Sequence, residues 1–261
     1  MITGLLESLE AARLFDLEQL RYPGAPFHPA HAPGFNYFLH RHHARGAGEA
    51  RTGASGIVVM PEHSGTHIDA LAHQAENLRL HGGINVDEGV QTSAGFKKLG
   101  IDAMAPLIAR GVLLDVAGGR RLEPDYAITP ADLERAAKVE VRAGDVVLVR
   151  TGYGALWSKP AEYLRAAGVS AAGSRWLIER KVKAVGADNM AFDLMSAEKD
   201  PELNATLPGH VLLLVRAGIP IIENLNLEGL ATAKVYEFVF VCLPLKMRGA
   251  TGSPVRPIAI A

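Results

Sequence analysis

The sequence lacks most of what would place it in a familiar functional class. It has one cysteine, Cys242, in 261 residues. No internal disulfide can form, which fits a reducing compartment. The formal net charge is −1, with 21% charged residues. That balance gives no electrostatic reason to expect nucleic acid or an anionic membrane as a partner. The longest apolar stretches, 211–215 and 238–245, fall far short of the roughly 20 residues that span a bilayer. The first ten residues carry acids and no basic n-region, so they do not read as a signal peptide. A cytoplasmic protein is the expectation. There is no internal repeat, low-complexity segment or composition break. Gly53-Ala54-Ser55-Gly56 and Gly118-Gly119 match neither a dinucleotide fingerprint nor a P-loop. No Gly-x-Ser-x-Gly elbow or His-Glu-x-x-His is present.

What is present is apolar: 48% of residues are hydrophobic, enough for one large core. Leu5, Leu6, Leu9, Ala12 and Leu14 predict a short amphipathic helix over 3–14. A Pro/Gly-rich loop follows from Tyr22 through Pro33. Residues 35–40 read as a strand, 46–53 as a polar connection and 56–60 as a buried strand. Residues 74–95 are expected to be a long loop. Buried strands are predicted at 111–116 and 145–150, short or edge strands at 219–223, 235–245 and 255–260. Thr129-Pro130-Ala131-Asp132 opens a helix, with threonine as cap, proline in the first position and an acid near the positive end. Further helices are predicted at 160–167, at 170–181 capped by Ser170, and at 208–217 ending at Gly218. Strands and helices alternate only in part. The expected class is α/β with a mixed sheet, in a single domain over 1–261.

The chemistry concentrates in Met60-Pro61-Glu62-His63-Ser64-Gly65-Thr66-His67-Ile68-Asp69-Ala70-Leu71-Ala72-His73. Neutral imidazole with carboxylate suits Zn²⁺, Mn²⁺ or Fe²⁺. His63 and His67 would share a face of a helix, but Gly65 and Thr66 between them argue against one. In an extended segment His67 and Asp69 point the same way, and His63 reaches the same point from a turn. His63, His67 and Asp69 then form a three-ligand set with positions open for water and substrate. His73 can stand behind them to take and return a proton.

This stretch resembles the signature of the cyclase family, His-x-Gly-Thr-His-x-Asp-x-x-x-His, a family that includes bacterial kynurenine formamidase and isatin hydrolase. Other segments are similar to it as well: Phe15-Asp16-Leu17, Tyr22-Pro23-Gly24, Gly144-Asp145-Val146-Val147 with Arg150-Thr151-Gly152, Gly186-Ala187-Asp188, and His210 through Gly218-Ile219-Pro220-Ile221-Ile222-Glu223-Asn224-Leu225. The resemblance implies a swivelling β/β/α (cyclase-like) fold, a metal-dependent hydrolase of non-peptide amides, and a homo-oligomer, dimer or tetramer. It implies metal binding by His63, His67 and Asp69 and proton transfer by His73. It adds His210 and Glu223 as candidates for a second metal site, with Glu223 also a candidate catalytic group. The ion is then Mn²⁺ or Zn²⁺, one or two per chain, and the substrate a small-molecule amide. Leu71 stands where formamidases carry proline, and the chain is longer than the compact formamidases. Both features depart from the kynurenine formamidase pattern, and the length is closer to the isatin-hydrolase-like branch. In this family N-terminal segments can complete a neighbouring subunit's pocket, so residues 1–45 are a candidate for such packing.

Other residues are expected to be structural. His28, His31, His40, His42 and His43 lie between or near prolines and glycines and are expected to be solvated. Phe35, Tyr37 and Phe38 are expected to pack a core. Asp188 suits a turn or cap, and Cys242 a small buried hydrophobe. Glu223 ends an apolar strand and needs a partner there, for which a metal or His210 would serve. His81 is assigned no role. Two rivals to the hydrolase remain open at this point. One is a metal-free acid/base lyase or isomerase using His73 and Asp69, and the other a non-catalytic metal-binding protein.

Overall fold

The computed structural model describes residues 2–44 and 48–261. Part of the polar connection expected over 46–53, and the ends of the 1–45 segment, lie outside them. In chain order, helix α1 (Ile2–Ala11) leads to strands β1 (Leu14–Asp16), β2 (Asn36–Arg41), β3 (Ser55–Val59) and β4 (His67–Asp69). The short strands β5 (Gln91–Thr92) and β6 (Gly95–Phe96) precede β7 (Leu107–Asp115), β8 (Ala127–Ile128) and helix α2 (Pro130–Ala136). Next come β9 (Val146–Arg150), α3 (Pro160–Tyr163), β10 (Gly168–Val169), α4 (Ala171–Glu179) and β11 (Ala184–Ala187). Helix α5 (Pro208–His210) continues as a π-helix over Val211–Ala217. The chain ends with β12 (Ile221–Glu223), α6 (Glu228–Ala233), β13 (Glu237–Cys242), β14 (Gly252–Pro254) and β15 (Ile258–Ile260).

Nine strands form one curled mixed sheet in the order β1-β15-β13-β7-β9-β11-β12-β4-β14. Its centre, β7-β9-β11-β12, is parallel, and both flanks are antiparallel. The central strands are buried on both faces, as their near-continuous apolar runs require. On one face Leu113, Leu148 and Ile222 pack with Phe238, Phe240, Leu225 and Leu230. On the other, Val112, Val147, Val149 and Val185 pack against Leu133, Trp176, Leu177, Leu213 and Leu214 from α2, α4 and the π-helix. The α/β mixed-sheet class read from the sequence is the class observed.

The helix starts follow their local chemistry. Thr129 accepts from the Asp132 amide while the Asp132 carboxylate accepts from the Thr129 amide, a reciprocal capping box. Ser170 caps α4 by accepting from the Gly173 amide. Gly218, at φ 69°, ends the π-helix in the left-handed region that glycine adopts without cost.

Several expectations need correction. Strand β3 is not buried. It pairs only with β2, and Ile57, Val58 and Val59 are exposed, as are Tyr37 and Phe38, which were expected in a core. A pattern of β-branched and aromatic residues specifies a strand, but not what covers it. The helix expected over 160–167 ends at Tyr163, and the strand expected at 255–260 is confined to β15 (Ile258–Ile260), with β14 (Gly252–Pro254) ahead of it. Helix α6 was not anticipated. Among the described residues no helix is long and apolar enough to cross a membrane.

Candidate metal centre

The motif enters the main sheet as β4, packed between β12 and β14. Its turn is fastened from three sides. Gly65 has φ 65°, a conformation suited to glycine, and a Cβ there would meet Arg21 Nη1 at 2.5 Å. The Arg21 guanidinium donates to the Ser64 and Thr66 carbonyls on either side of Gly65. Thr66, fully buried, accepts from the Gln19 amide at 2.8 Å and donates to the Asn224 carbonyl at 2.6 Å. Serine, glycine and threonine between the two histidines therefore make a rigid hairpin-like bend, and the helical alternative for His63 and His67 does not occur.

Residues i and i+2 of a strand share a face, so β4 presents His67 and Asp69 together. Glu223 lies directly opposite His67 in the β12–β4 register. His210 is the last residue of α5, where the π-helix begins. His67 Nε2 is 3.4 Å from Glu223 Oε2 and 3.5 Å from Asp69 Oδ1. His210 Nε2 is 3.3 Å from Glu223 Oε1 and 3.6 Å from Asp69 Oδ2. All four side chains are at most 5% exposed.

The far nitrogen of each ring decides what the near one offers. His67 Nδ1 donates to the Gly65 carbonyl at 2.8 Å, so its Nε2 carries a lone pair. Burial pushes His67 down to about 3, which keeps it neutral. His210 Nδ1 lies 2.7 Å from Asp193 Oδ2 and donates to it. His63 differs. Its Nδ1 faces Asp69 Oδ1 and its Nε2 faces Thr251 Oγ1, each at 2.8 Å. The Thr251 hydroxyl already donates to Glu62, so it accepts from His63. With both nitrogens donating, His63 carries charge: burial opposes this, but Asp69 and Glu62 hold it above the usual histidine range. His63 would have to release one partner before it could offer a lone pair.

His73 stacks on His63 with ring centroids 3.9 Å apart, and the His31 ring lies 4.9 Å from His63 and 6.1 Å from His73. Burial pushes His73 down to about 3, against the attraction of Asp69. The two carboxylates diverge. Burial would raise Asp69, but His73, His63 and His67 around it hold it well below the carboxylate range. Burial and the Asp69 charge push Glu223 up to about 7.

Whether these residues suit a divalent ion can be tested on their own contacts. Asp69 Oδ2 and Glu223 Oε1 are buried and accept no hydrogen bond. A buried carboxylate oxygen without a donor is costly, and two of them beside a histidine nitrogen require a proton or a cation between them. Two groups of three side chains hold ligand atoms within 4.8 Å of one another: His63, Asp69 and His73, and His67, Asp69 and Glu223. Asp69 belongs to both. The residues fit a metal centre of histidine nitrogen and carboxylate oxygen.

Two cavities meet at the histidine stack. One, of 180 Å³, is lined by His67, His73, Gln74, Met190, His210 and Glu223, with His28 and His31 over it. The other, of 580 Å³, runs past Met60, Pro61, Leu245, Met247 and Pro254. His31, His63 and His73 line both. His28 and His31 are thus not the solvated loop residues expected from their prolines, whereas His40, His42 and His43 are exposed. Sequence reasoning missed Arg21, Glu62, Asp193, Asn224 and Thr251. Only Glu62, next to His63, carried a positional signal. Asp188 acts in the turn role expected of it, accepting from the Thr151 amide and hydroxyl and from the Gly152 and Gly154 amides.

The chain is similar to known proteins over most of its length. "Cyclase-like protein 3" of Oryza sativa subsp. japonica is 29% identical over 209 residues, 77% of this chain and 63% of that protein. The chain thus spans less than two thirds of that relative's length. The isatin hydrolase of Roseibium aggregatum is 26% identical over 213 residues, 78% of this chain and 73% of that protein. A crystal structure of a novel cyclase superposes with a TM-score of 0.84 at 28% identity, covering 99% of this chain and 90% of the other. The Cyclase family profile matches residues 15–194, which include β4 and the whole histidine motif. On that match, and on a fold shared along nearly its full length, the chain belongs to the Cyclase family.

Proposed function

We propose that this protein is a metal-dependent hydrolase of a non-peptide C–N bond in a small, neutral amide or cyclic imide. The observation that carries the reading is the convergence of His67 Nε2 and His210 Nε2 on the buried Asp69 and Glu223 carboxylates, whose Oδ2 and Oε1, beside His210, have no donor. A Mn²⁺ or Zn²⁺ ion bound there supplies Lewis acidity and a water acidic enough to attack at neutral pH. Asp69, Glu223, His67 and His210 would hold it, with His63 and His73 at the second group that shares Asp69. His73 has neither nitrogen tied by a hydrogen bond among the described residues and faces the polar cavity. It is placed to take a proton and give it to the departing nitrogen. The His31 ring lies beside His63 and lines both cavities.

The cavities also narrow the substrate. Neither is lined by lysine or arginine. A substrate with an amino-acid carboxylate, such as N-formylkynurenine, would meet no guanidinium or ammonium group, whereas a neutral ring such as isatin would place its apolar body beside Met60, Leu245 and Met247. That the Roseibium relative is named an isatin hydrolase supports the same choice. The test is a screen of Mn²⁺- and Zn²⁺-reconstituted protein against isatin, N-formylkynurenine, cyclic imides and lactones, followed by absorbance. Ring opening that disappears on chelation and returns with metal is the expected result.

A metal-free acid/base reaction is favoured by one observation, a Glu223 pushed up to about 7 beside a charged His63. Activity that survives exhaustive chelation would select it. A homo-oligomer is proposed on the exposed β2–β3 hairpin. Tyr37, Phe38, Leu39, Ile57, Val58 and Val59 are each 42–52% exposed. A two-stranded hairpin is marginal alone, and an apolar patch of this kind marks an interaction surface.

A further inference from the structure

We infer that Asp193 is a positioning residue that fixes the His210 ring so that Nε2 points at Asp69 and Glu223. The inference rests on the metal-centre reading for its consequence, but not for its geometry. Asp193 is 1% exposed and, among the described residues, pairs with His210 and with no lysine or arginine. Its two oxygens are used in full view of α5. Oδ1 accepts from the Gly209 amide at 2.6 Å, and Oδ2 accepts from the His210 amide at 3.0 Å and from His210 Nδ1 at 2.7 Å. One carboxylate thus caps the helix that carries His210 and grips the ring itself. The positive end of that helix favours the anion.

The arrangement is specific to a carboxylate. An ionised Asp accepts only, so the proton must sit on His210 Nδ1 and Nε2 is the atom presented to the site. An amide of the same shape cannot do this. If its oxygen faced His210, its NH₂ would meet the Gly209 amide, donor to donor. If its oxygen faced Gly209, its NH₂ would donate to His210 Nδ1 and move the ring proton to Nε2.

The chain makes room for the grip at two glycines. A Cβ on Gly209 would lie 2.5 Å from Asp193 Oδ1 and 2.8 Å from its Cγ. A Cβ on Gly168 would lie 2.2 Å from both the Asp193 carbonyl oxygen and the Leu194 nitrogen. The Asp193 backbone is also held beside β10, where the Val169 amide donates to the Phe192 carbonyl at 2.9 Å. Carboxylate–histidine pairs of this kind fix the tautomer of a metal ligand, and their loss weakens metal affinity about 10–100-fold.

The experiment compares wild type, Asp193→Asn and Gly209→Ala in two arms. In metal-free protein, long-range ¹H–¹⁵N NMR follows the His210 ring. Wild type is expected to show a hydrogen-bonded, exchange-protected Nδ1–H, which Asp193→Asn loses or shifts strongly. In the second arm, Zn²⁺ affinity is measured by competition with a chelator. Both variants are expected to bind about 10–100-fold more weakly than wild type. A merely structural Asp193 would lower the melting temperature and leave both readouts in place. An unchanged Nδ1–H signal in Asp193→Asn, or Zn²⁺ affinity within twofold of wild type, overturns the inference. If wild type itself takes up no Zn²⁺, the metal reading falls and the metal-free arm alone decides the role of Asp193.

Discussion

Two stretches of this chain are equally rich in histidine and end in opposite surroundings. His40, His42 and His43 sit on or just after β2, in a hairpin paired with nothing but itself, and all three are exposed. His63 and His67, with Asp69 and His73 following, sit at or beside β4 in the nine-stranded sheet, and His63, His67 and Asp69 are buried. Each stretch holds three histidines; the supporting element differs. Strand β4 is locked between β12 and β14, so its side chains meet fixed partners. The hairpin offers its histidines only to solvent, apart from contacts such as His43 Nδ1 with Thr52 Oγ1. Ligand chemistry needs convergence, and convergence needs a rigid frame.

The sharpest way to break this contrast is to remove ligands from the two groups in parallel. His67→Ala and Asp69→Asn are expected to lose bound metal, read by elemental analysis, and to lose activity by a factor on the order of 10³. His40→Ala and His42→Ala are expected to change neither. Full metal content in His67→Ala would mean the ligand assignment is wrong. A smaller effect is expected at the half-buried ring of the cluster. His73→Ala should keep its metal and lower kcat about 100-fold, separating proton transfer from binding within one stack of rings.

The next comparison concerns stability. Asp188→Ala strands four donors in the buried turn after β9 and should destabilise by ~3 kcal/mol, measured by urea unfolding. The exposed hairpin should respond in the other currency: Phe38→Lys or Val58→Lys is expected to shift stability by no more than ~0.5 kcal/mol while lowering the assembly mass seen by light scattering. A pH-dependent effect is expected at the α2 cap. Burial would raise the Asp132 carboxyl, but bonds from the Thr129 amide and hydroxyl and from Tyr126, with Arg135 beside it, hold it below the carboxylate range. A lowered folded pKa contributes stability above the unfolded value near 4 and loses it as pH falls. Asp132→Asn should therefore cost about 1 kcal/mol at pH 7 and progressively less below pH 4.

Much of the fold was legible because it is local. The apolar runs at 111–116 and 145–150, the Thr129-Pro130 and Ser170 starts and the Gly218 stop each carry their own explanation in a few adjacent residues. The hairpin misled because alternation and β-propensity are the same for a covered strand and a bare one.

By itself the sequence determined that one short segment would carry His63, His67, Asp69 and His73 on an extended chain, since Gly65 and Thr66 disfavour a helix and a strand aligns every second residue. Tertiary structure alone decided what those atoms offer. It set Glu223 opposite His67 through strand register, brought His210 in on a helix, and fixed where the ring protons sit through Gly65, Thr251 and Asp193. A tautomer depends on the partner of the far nitrogen, and those partners lie 2 residues away for His67, 188 for His63 and 17 for His210. Only folding brings the two distant ones into contact.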